Sequence, residues 1–313
     1  MGDYDNIYLV PKGISDVLHR GDVELISNFY NFYPIMSSPM RGVSGPELVI
    51  EMSKNNCFGI LHRFDKFLTR MENIEIVGNV ISHFGVAIGI NNFDAELAIA
   101  QMAYAHGAKL ICIDVANGYL SSVGEAVKVI REEIPDIKIM AGNIINSQGA
   151  EYLRSCGCDF VRVGIGNGGL CSTRDATGVG RNNLAAIKDC AWTDVNLVAD
   201  GGINKPGNAV KAFYCGTDFV MLGSALMYAN ETENKDGHFY GMASKDLHNA
   251  MGKEVKSIEG KSIYIPPEEK KPLKEILDQY LWGIRSACTY GNCSSYKYIS
   301  HYFKAVPVNE SVT

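Results

Sequence analysis

Phe160-Val161-Arg162-Val163-Gly164-Ile165-Gly166-Asn167-Gly168-Gly169-Leu170-Cys171-Ser172-Thr173-Arg174 joins a short, mostly apolar run to a glycine-rich turn. A run this short suits a strand better than a helix. Its apolar residues do not alternate cleanly with polar ones, which predicts a strand covered on both faces, as in a parallel sheet. Working outward, seven further runs of the same kind stand at 34–37, 57–61, 86–90, 110–114, 138–142, 197–200 and 219–223.

The stretches between them carry helical spacing. Val123, Ala126, Val127, Ile130 and Ile134 fall on one face, with Pro135 just beyond the last turn. Phe93, Leu97, Ala100 and Tyr104 are read the same way, with Asp94 near the start. Pro206 suits the first turn of a helix carrying Val210 and Phe213. Eight strands alternating with helices over about 200–250 residues predict a (β/α)8 TIM barrel. A doubly wound open sheet is the alternative. Polar residues and glycines follow the strands repeatedly: Ser38, His62-Arg63, Asp114, Asn143, Gly166, Asp200-Gly201-Gly202 and Gly223-Ser224. A barrel gathers all of these around one site at its C-terminal face, whereas an open sheet spreads them along an edge, so the barrel is preferred.

We read residues 1–313 as one catalytic domain. Residues 228–271 are polar, and so long a loop reads as an active-site flap after strand eight. A last helix begins near Pro272 with Leu273, Ile276, Leu277 and Tyr280 on one face, and the tail at 291–313 is weakly patterned.

Composition narrows the function. Hydrophobic residues make up 46% and charged residues 20% of the chain, the balance of a globular protein. A net charge of −6 gives no global field for nucleic acid or an anionic membrane. The nine cysteines are irregularly spaced and several lie in apolar runs, which points to buried thiols in a reducing compartment. With no apolar leader or spanning run, the expected location is cytoplasmic.

The densest chemical signal is the loop at 164–180, with six glycines. Glycine lets backbone approach a ligand closely. A cysteine held there, near backbone N–H groups and Arg174, is a candidate nucleophile with a lowered pKa. Exposed carbonyls in such a loop also suit a monovalent cation. Asp200-Gly201-Gly202 and Gly223-Ser224 end the last two strands, the usual place for a phosphate cradle in a barrel. Asp200 suits ribose hydroxyls.

The pattern Gly164-Ile165-Gly166-x-Gly168-x-x-Cys171-x-Thr173-Arg174, followed by Thr177-Gly178-Val179-Gly180, resembles the catalytic loop of the IMP dehydrogenase/GMP reductase family. The resemblance runs from Ser38-Pro39-Met40 to Gly283-Ile284-Arg285-Ser286-Ala287-Cys288-Thr289-Tyr290. It implies a homotetrameric barrel enzyme acting on a purine nucleotide, GMP or IMP. Asp114-Val115-Ala116-Asn117-Gly118-Tyr119 and the flap Ser257-Ile258-Glu259-Gly260-Lys261 resemble the reductase branch. That branch implies NADPH-dependent release of ammonia from GMP. The alternatives are the dehydrogenase reaction on IMP with NAD, and a degenerate barrel that only binds the nucleotide.

The resemblance also implies roles. Cys171 would attack purine C2, with Thr173 and Glu259 handling protons. Ser38, Met40, Asp200, Gly201, Gly202, Gly223 and Ser224 would hold the nucleotide, joined from the flap by Tyr240, Gly241, Met242, Ser244 and Gly260. Arg63, Asp114, Val115, Ala116, Ile165, Gly166 and Lys256 would meet the cofactor. His19, Arg20, Ser286, Ala287, Cys288 and Thr289 would do so too, the last four from a neighbouring subunit. Backbone atoms of Gly166, Gly168 and Cys171 would line a potassium site.

Four residues depart from the family pattern. Arg63 replaces Lys, Arg41 replaces Asp, Asn167 replaces Pro, and Gly169 replaces a Ser expected to donate to phosphate. Arg41 either pairs with phosphate directly or marks a different substrate.

Overall fold

A computed structural model describes residues 3–169, 172–241 and 260–308. A first strand, β1 (Ile7–Pro11), precedes the main sheet. That sheet holds β2 (Ile35–Ser37), β3 (Ile60–Leu61), β4 (Gly85–Ile88), β5 (Leu110–Asp114), β6 (Lys138–Ile144), β7 (Phe160–Val163), β8 (Asn196–Asp200) and β9 (Phe219–Leu222). All pairs are parallel, in the order β2-β9-β8-β7-β6-β5-β4-β3. The two ends meet. Met36 bridges Phe58, with Ser37 N donating to Phe58 O and Phe58 N donating to Ile35 O, each at 3.0 Å. The ring is therefore a (β/α)8 TIM barrel and not an open doubly wound sheet.

Alternation along each strand sorts its residues. Phe58, Cys112, Met140, Phe160, Val198 and Phe219 belong to a small cluster inside the barrel. Phe29 and Phe32, from the turn before β2, join that cluster. The Phe29 ring lies 4.8 Å from Phe58 and 5.0 Å from Phe160, both edge to face, so it closes the N-terminal end. Two residues further along, the same parity brings polar groups inward: Arg162 above Phe160, Asp114 above Cys112 and Asp200 above Val198. The interior is thus apolar below and charged at the C-terminal mouth.

The outward parity packs on the surrounding helices. In Ser121–Glu133 the expected face is buried, with Val123, Ala126, Val127 and Ile130 inside and Ile134 just beyond. Pro206 opens the helix Pro206–Cys215, which buries Val210 and Phe213. The C-terminal helix Leu273–Gly291 buries Leu273, Ile276, Leu277 and Tyr280.

Three expectations change. In the helix Phe93–Ala105 the buried residues are Ile99, Ala100 and Ala103, while Tyr104 is 42% exposed. Five alanines among its residues leave that helix apolar nearly all round, so spacing alone does not select its inner face. The flap region is not structureless: β10 (His238–Tyr240) pairs antiparallel with β11 (Ser262–Tyr264). The tail is not loose either. Its strand β12 (Phe303–Pro307) pairs antiparallel with β1, Ile7 opposite Pro307. Two short edge strands from opposite ends of the chain carry little local signal. Among the described residues, all eight cysteines are free and buried. Among the described residues no helix is long and apolar enough to cross a membrane.

Candidate active site

A cavity of about 290 Å³ opens at the C-terminal ends of the strands. One wall is built from the ends of β8 and β9, with Asp200, Gly201, Gly202, Gly223 and Ser224. Ser38 and Met40, after β2, extend it. Gly201 and Gly202 have successive φ values of +94° and +74°. This left-handed pair needs glycine, and it turns the chain sharply beside the glycine-rich loop after β7. A Cβ on Gly201 would lie 3.0 Å from Gly168 N.

The facing wall carries Arg63, Asp114, Val115 and Ala116. Ile165, Gly166, Gly168 and Thr173 lie between the walls, and Gly241 and Gly260 reach in from the flap. These sequence-predicted residues therefore converge. Cys171, Glu259, Met242, Ser244 and Lys256 lie outside the described residues. Their neighbours do meet: Gly260 N donates to Ser172 Oγ at 2.7 Å.

The other expected residues stand apart from this cavity. Tyr240 sits on β10 opposite Ser262, off the lining. Arg20 Nε donates to Ser286 Oγ at 3.1 Å, and its guanidinium lies 5.0 Å from the Trp282 ring centre. His19, Ala287 and Thr289 are close to this pair in sequence and are likewise absent from the lining. Cys288 is fully buried, and burial together with Cys293 pushes its thiol up to about 12.

The strongest electrostatic feature was not singled out from the sequence. Arg162, 5% exposed, donates from Nη1 to Asp114 Oδ1 at 2.6 Å and from Nη2 to Asp200 Oδ2 at 2.8 Å. Burial works against its charge, while Asp200, Cys112 and Asp114 outweigh burial and hold the proton more tightly than in an ordinary arginine. Asn143 also donates to Asp200 Oδ2, at 2.8 Å. Among the described residues no bond uses Asp200 Oδ1, which stays available to a hydroxyl. The available signal was parity: Arg162 shares the inward face of β7 with Phe160.

The departures now have places. Arg63 Nε donates to Asp114 O at 2.9 Å and to its Oδ2 at 3.3 Å, so the guanidinium braces the wall that carries Asp114. Arg41 is not on the cavity lining; its Nε lies 3.7 Å from Asp65 Oδ1. Asn167 donates to Arg181 O at 2.9 Å and to Asn183 Oδ1. Asn183 in turn donates to Gly201 O. Side-chain bonds thus anchor the loop where a proline ring would stiffen it. A Cβ on Gly169 would sit 3.4 Å from Ser224 Oγ, an ordinary contact.

His62, Asp65 and Glu233 bring three ligand atoms within 4.8 Å of one another. The tautomer argues against a metal. Phe64 N donates to His62 Nδ1 at 3.2 Å, which leaves the imidazole proton on Nε2, and Nε2 donates to Glu233 Oε2 at 3.0 Å. Glu233 Oε2 also accepts Gly42 N at 2.7 Å. The group is a clasp holding the loop after Met40.

Comparison with known proteins gives the same direction. A family model described as IMP dehydrogenase / GMP reductase domain matches residues 2–311. GMP reductase of Onchocerca volvulus is 32% identical over 324 residues, spanning 95% of this chain and 88% of that protein. Human GMP reductase 2 is 32% identical over 336 residues, spanning 99% and 95%. Human GMP reductase 1 is 33% identical over 327 residues, spanning 95% and 92%.

Proposed function

This chain belongs to the IMP dehydrogenase/GMP reductase family, and on that premise we propose that it is an NADPH-dependent GMP reductase producing IMP and ammonia. The observation that carries this reading is the cavity itself. A wall suited to ribose and phosphate faces a wall suited to a nicotinamide, with the loop that leads into Cys171 between them.

Asp200 takes ribose hydroxyls, and the backbone of Gly202, Gly223 and Ser224 takes phosphate. The Cys171 thiolate adds to purine C2. The C2–amine bond then breaks, with protons handled by Thr173 and Glu259, so that nitrogen leaves as ammonia. The residues present fit a nicotinamide: Asp114 accepts and Arg63 donates on one wall, complementary to a carboxamide, and Ala116 leaves that wall open to a flat ring. Bound there, a reduced dinucleotide would supply hydride for C2, with the Cys171 thiolate as the leaving group. Backbone carbonyls of Gly166, Gly168 and Cys171 are hard oxygen donors that suit potassium.

We read the whole chain as one cytoplasmic catalytic unit within a homotetramer. His19, Arg20 and the residues Ser286, Ala287, Cys288 and Thr289 then serve a neighbouring subunit's cavity, which accounts for their place away from their own.

The test is GMP-dependent loss of NADPH absorbance with stoichiometric ammonia, and a purine adduct by intact mass that is absent in Cys171→Ala. Reduction of NAD by IMP, without the GMP reaction, would assign the dehydrogenase activity instead. Tight GMP binding without turnover, unaffected by Cys171→Ala, would assign a binding module.

A further inference from the structure

We infer that Arg162 is a positioning residue that couples the nucleotide wall of the cavity to the dinucleotide wall. The inference rests on the functional reading above, which assigns Asp200 to the nucleotide and Asp114 to the dinucleotide.

The register makes the coupling possible. Asp114 on β5 pairs with Gly142 on β6, and Gly142 pairs with Arg162 on β7. The three form one row across the barrel interior, so Arg162 and Asp114 are two strand spacings apart, about 9–10 Å. Only a long side chain crosses that distance, and only if the middle position is empty. Gly142 leaves it empty. A Cβ there would lie 2.5 Å from Arg162 Cβ and 2.7 Å from Arg162 O. The guanidinium passes over β6 and divides its two Nη atoms between the two carboxylates. The same Nη1 that meets Asp114 also lies 3.6 Å from Cys112 Sγ.

A planar fork shared by two acids cannot serve them independently. Ribose hydroxyls that donate to Asp200 weaken its hold on Nη2. The guanidinium then settles further on Asp114 and fixes it in the orientation the dinucleotide meets. Linkage makes the effect reciprocal: each ligand raises the affinity for the other by the same factor. Conversely, removing the Asp114 charge lets Arg162 chelate both oxygens of Asp200 and compete with ribose for Oδ1.

The experiment is equilibrium binding of GMP with and without saturating NADP+, a pair that does not turn over, and of NADP+ with and without GMP. It uses the intact protein, Arg162→Lys and Asp114→Asn. In the wild type each ligand should tighten the other by about fivefold or more. Arg162→Lys keeps the charge but loses the fork, and the factor should fall to about one. Asp114→Asn should weaken GMP alone by severalfold, although Asp114 stands on the opposite wall. A merely structural role would move neither the coupling factor nor the cross-wall effect in a variant whose melting temperature is unchanged. Independent binding in the wild type, full coupling in Arg162→Lys, or an unchanged GMP affinity in Asp114→Asn would each overturn the inference. A wild type that binds no GMP would instead overturn the functional reading.

Discussion

Ser172 and Gly260 are hydrogen bonded across 88 residues of chain, Oγ to backbone N, at 2.7 Å. Each directly follows a proposed catalytic residue: Ser172 follows Cys171 and Gly260 follows Glu259. The bond therefore ties the nucleophile loop to the flap that would bring the carboxylate to it. Ser172→Ala removes the acceptor. A bond worth about 1 kcal/mol predicts roughly a fivefold fall in kcat, with KM for GMP little changed. Steady-state kinetics check this, and an unchanged kcat would mean that the bond does not support catalysis.

Gly169 faces Ser224 with space for a Cβ in contact. A Cβ there makes only van der Waals contact, 3.4 Å from Ser224 Oγ, and no left-handed φ stands in the way. Gly169→Ser should fold normally and add a hydroxyl beside the phosphate cradle. One added hydrogen bond of about 1 kcal/mol predicts about fivefold tighter GMP binding, read by calorimetry. Weaker binding would place the phosphate elsewhere.

Glu233 is pushed up by burial, but hydrogen bonds from His62 and Gly42 and the charge of Arg41 outweigh that and leave its carboxyl below the ordinary glutamate range. A carboxyl depressed by folding adds stability above its unfolded value and loses that stability as pH falls through its folded value. Glu233→Gln should therefore melt lower than wild type at neutral pH. The gap should close as pH falls through the depressed Glu233 value. A gap independent of pH, measured by thermal melting across that window, would contradict the sign.

Gly142 is the position where the smallest change should do the most. Gly142→Ala puts a methyl group against Arg162, and the backbone oxygen at 2.7 Å cannot swing away as a flexible side chain would. Overpacking of this kind costs about 1–3 kcal/mol. Denaturant titration should show the loss, and ligand coupling should fall with it. A neutral Gly142→Ala would mean that β6 does not pack as closely against the Arg162 backbone and Cβ as these contacts require.

The barrel and most of its site were legible because each strand carries its own signal. Runs such as Leu110-Ile111-Cys112-Ile113-Asp114 announce a buried strand and the polar residue at its end without reference to any other part of the chain. The parallel (β/α)8 order then brings those ends together whatever the details, and Asp200, Gly202, Ser224, Asp114 and Arg63 all reached one cavity. The helix Phe93–Ala105 was legible as a helix but not as a face, because its apolar residues surround it.

By itself the sequence marked the eight barrel strands, the polar residues at their C-terminal ends, and the family that the glycine-rich loop resembles. The tertiary structure alone decided what those residues do to one another. Period-two alternation says which side chains share a face but says nothing of the register between strands. That register set Gly142 between Asp114 and Arg162, paired β1 with β12, and brought Ser172 against Gly260. Such contacts depend on the relative shift of segments far apart in the chain, a quantity that no local run of residues contains.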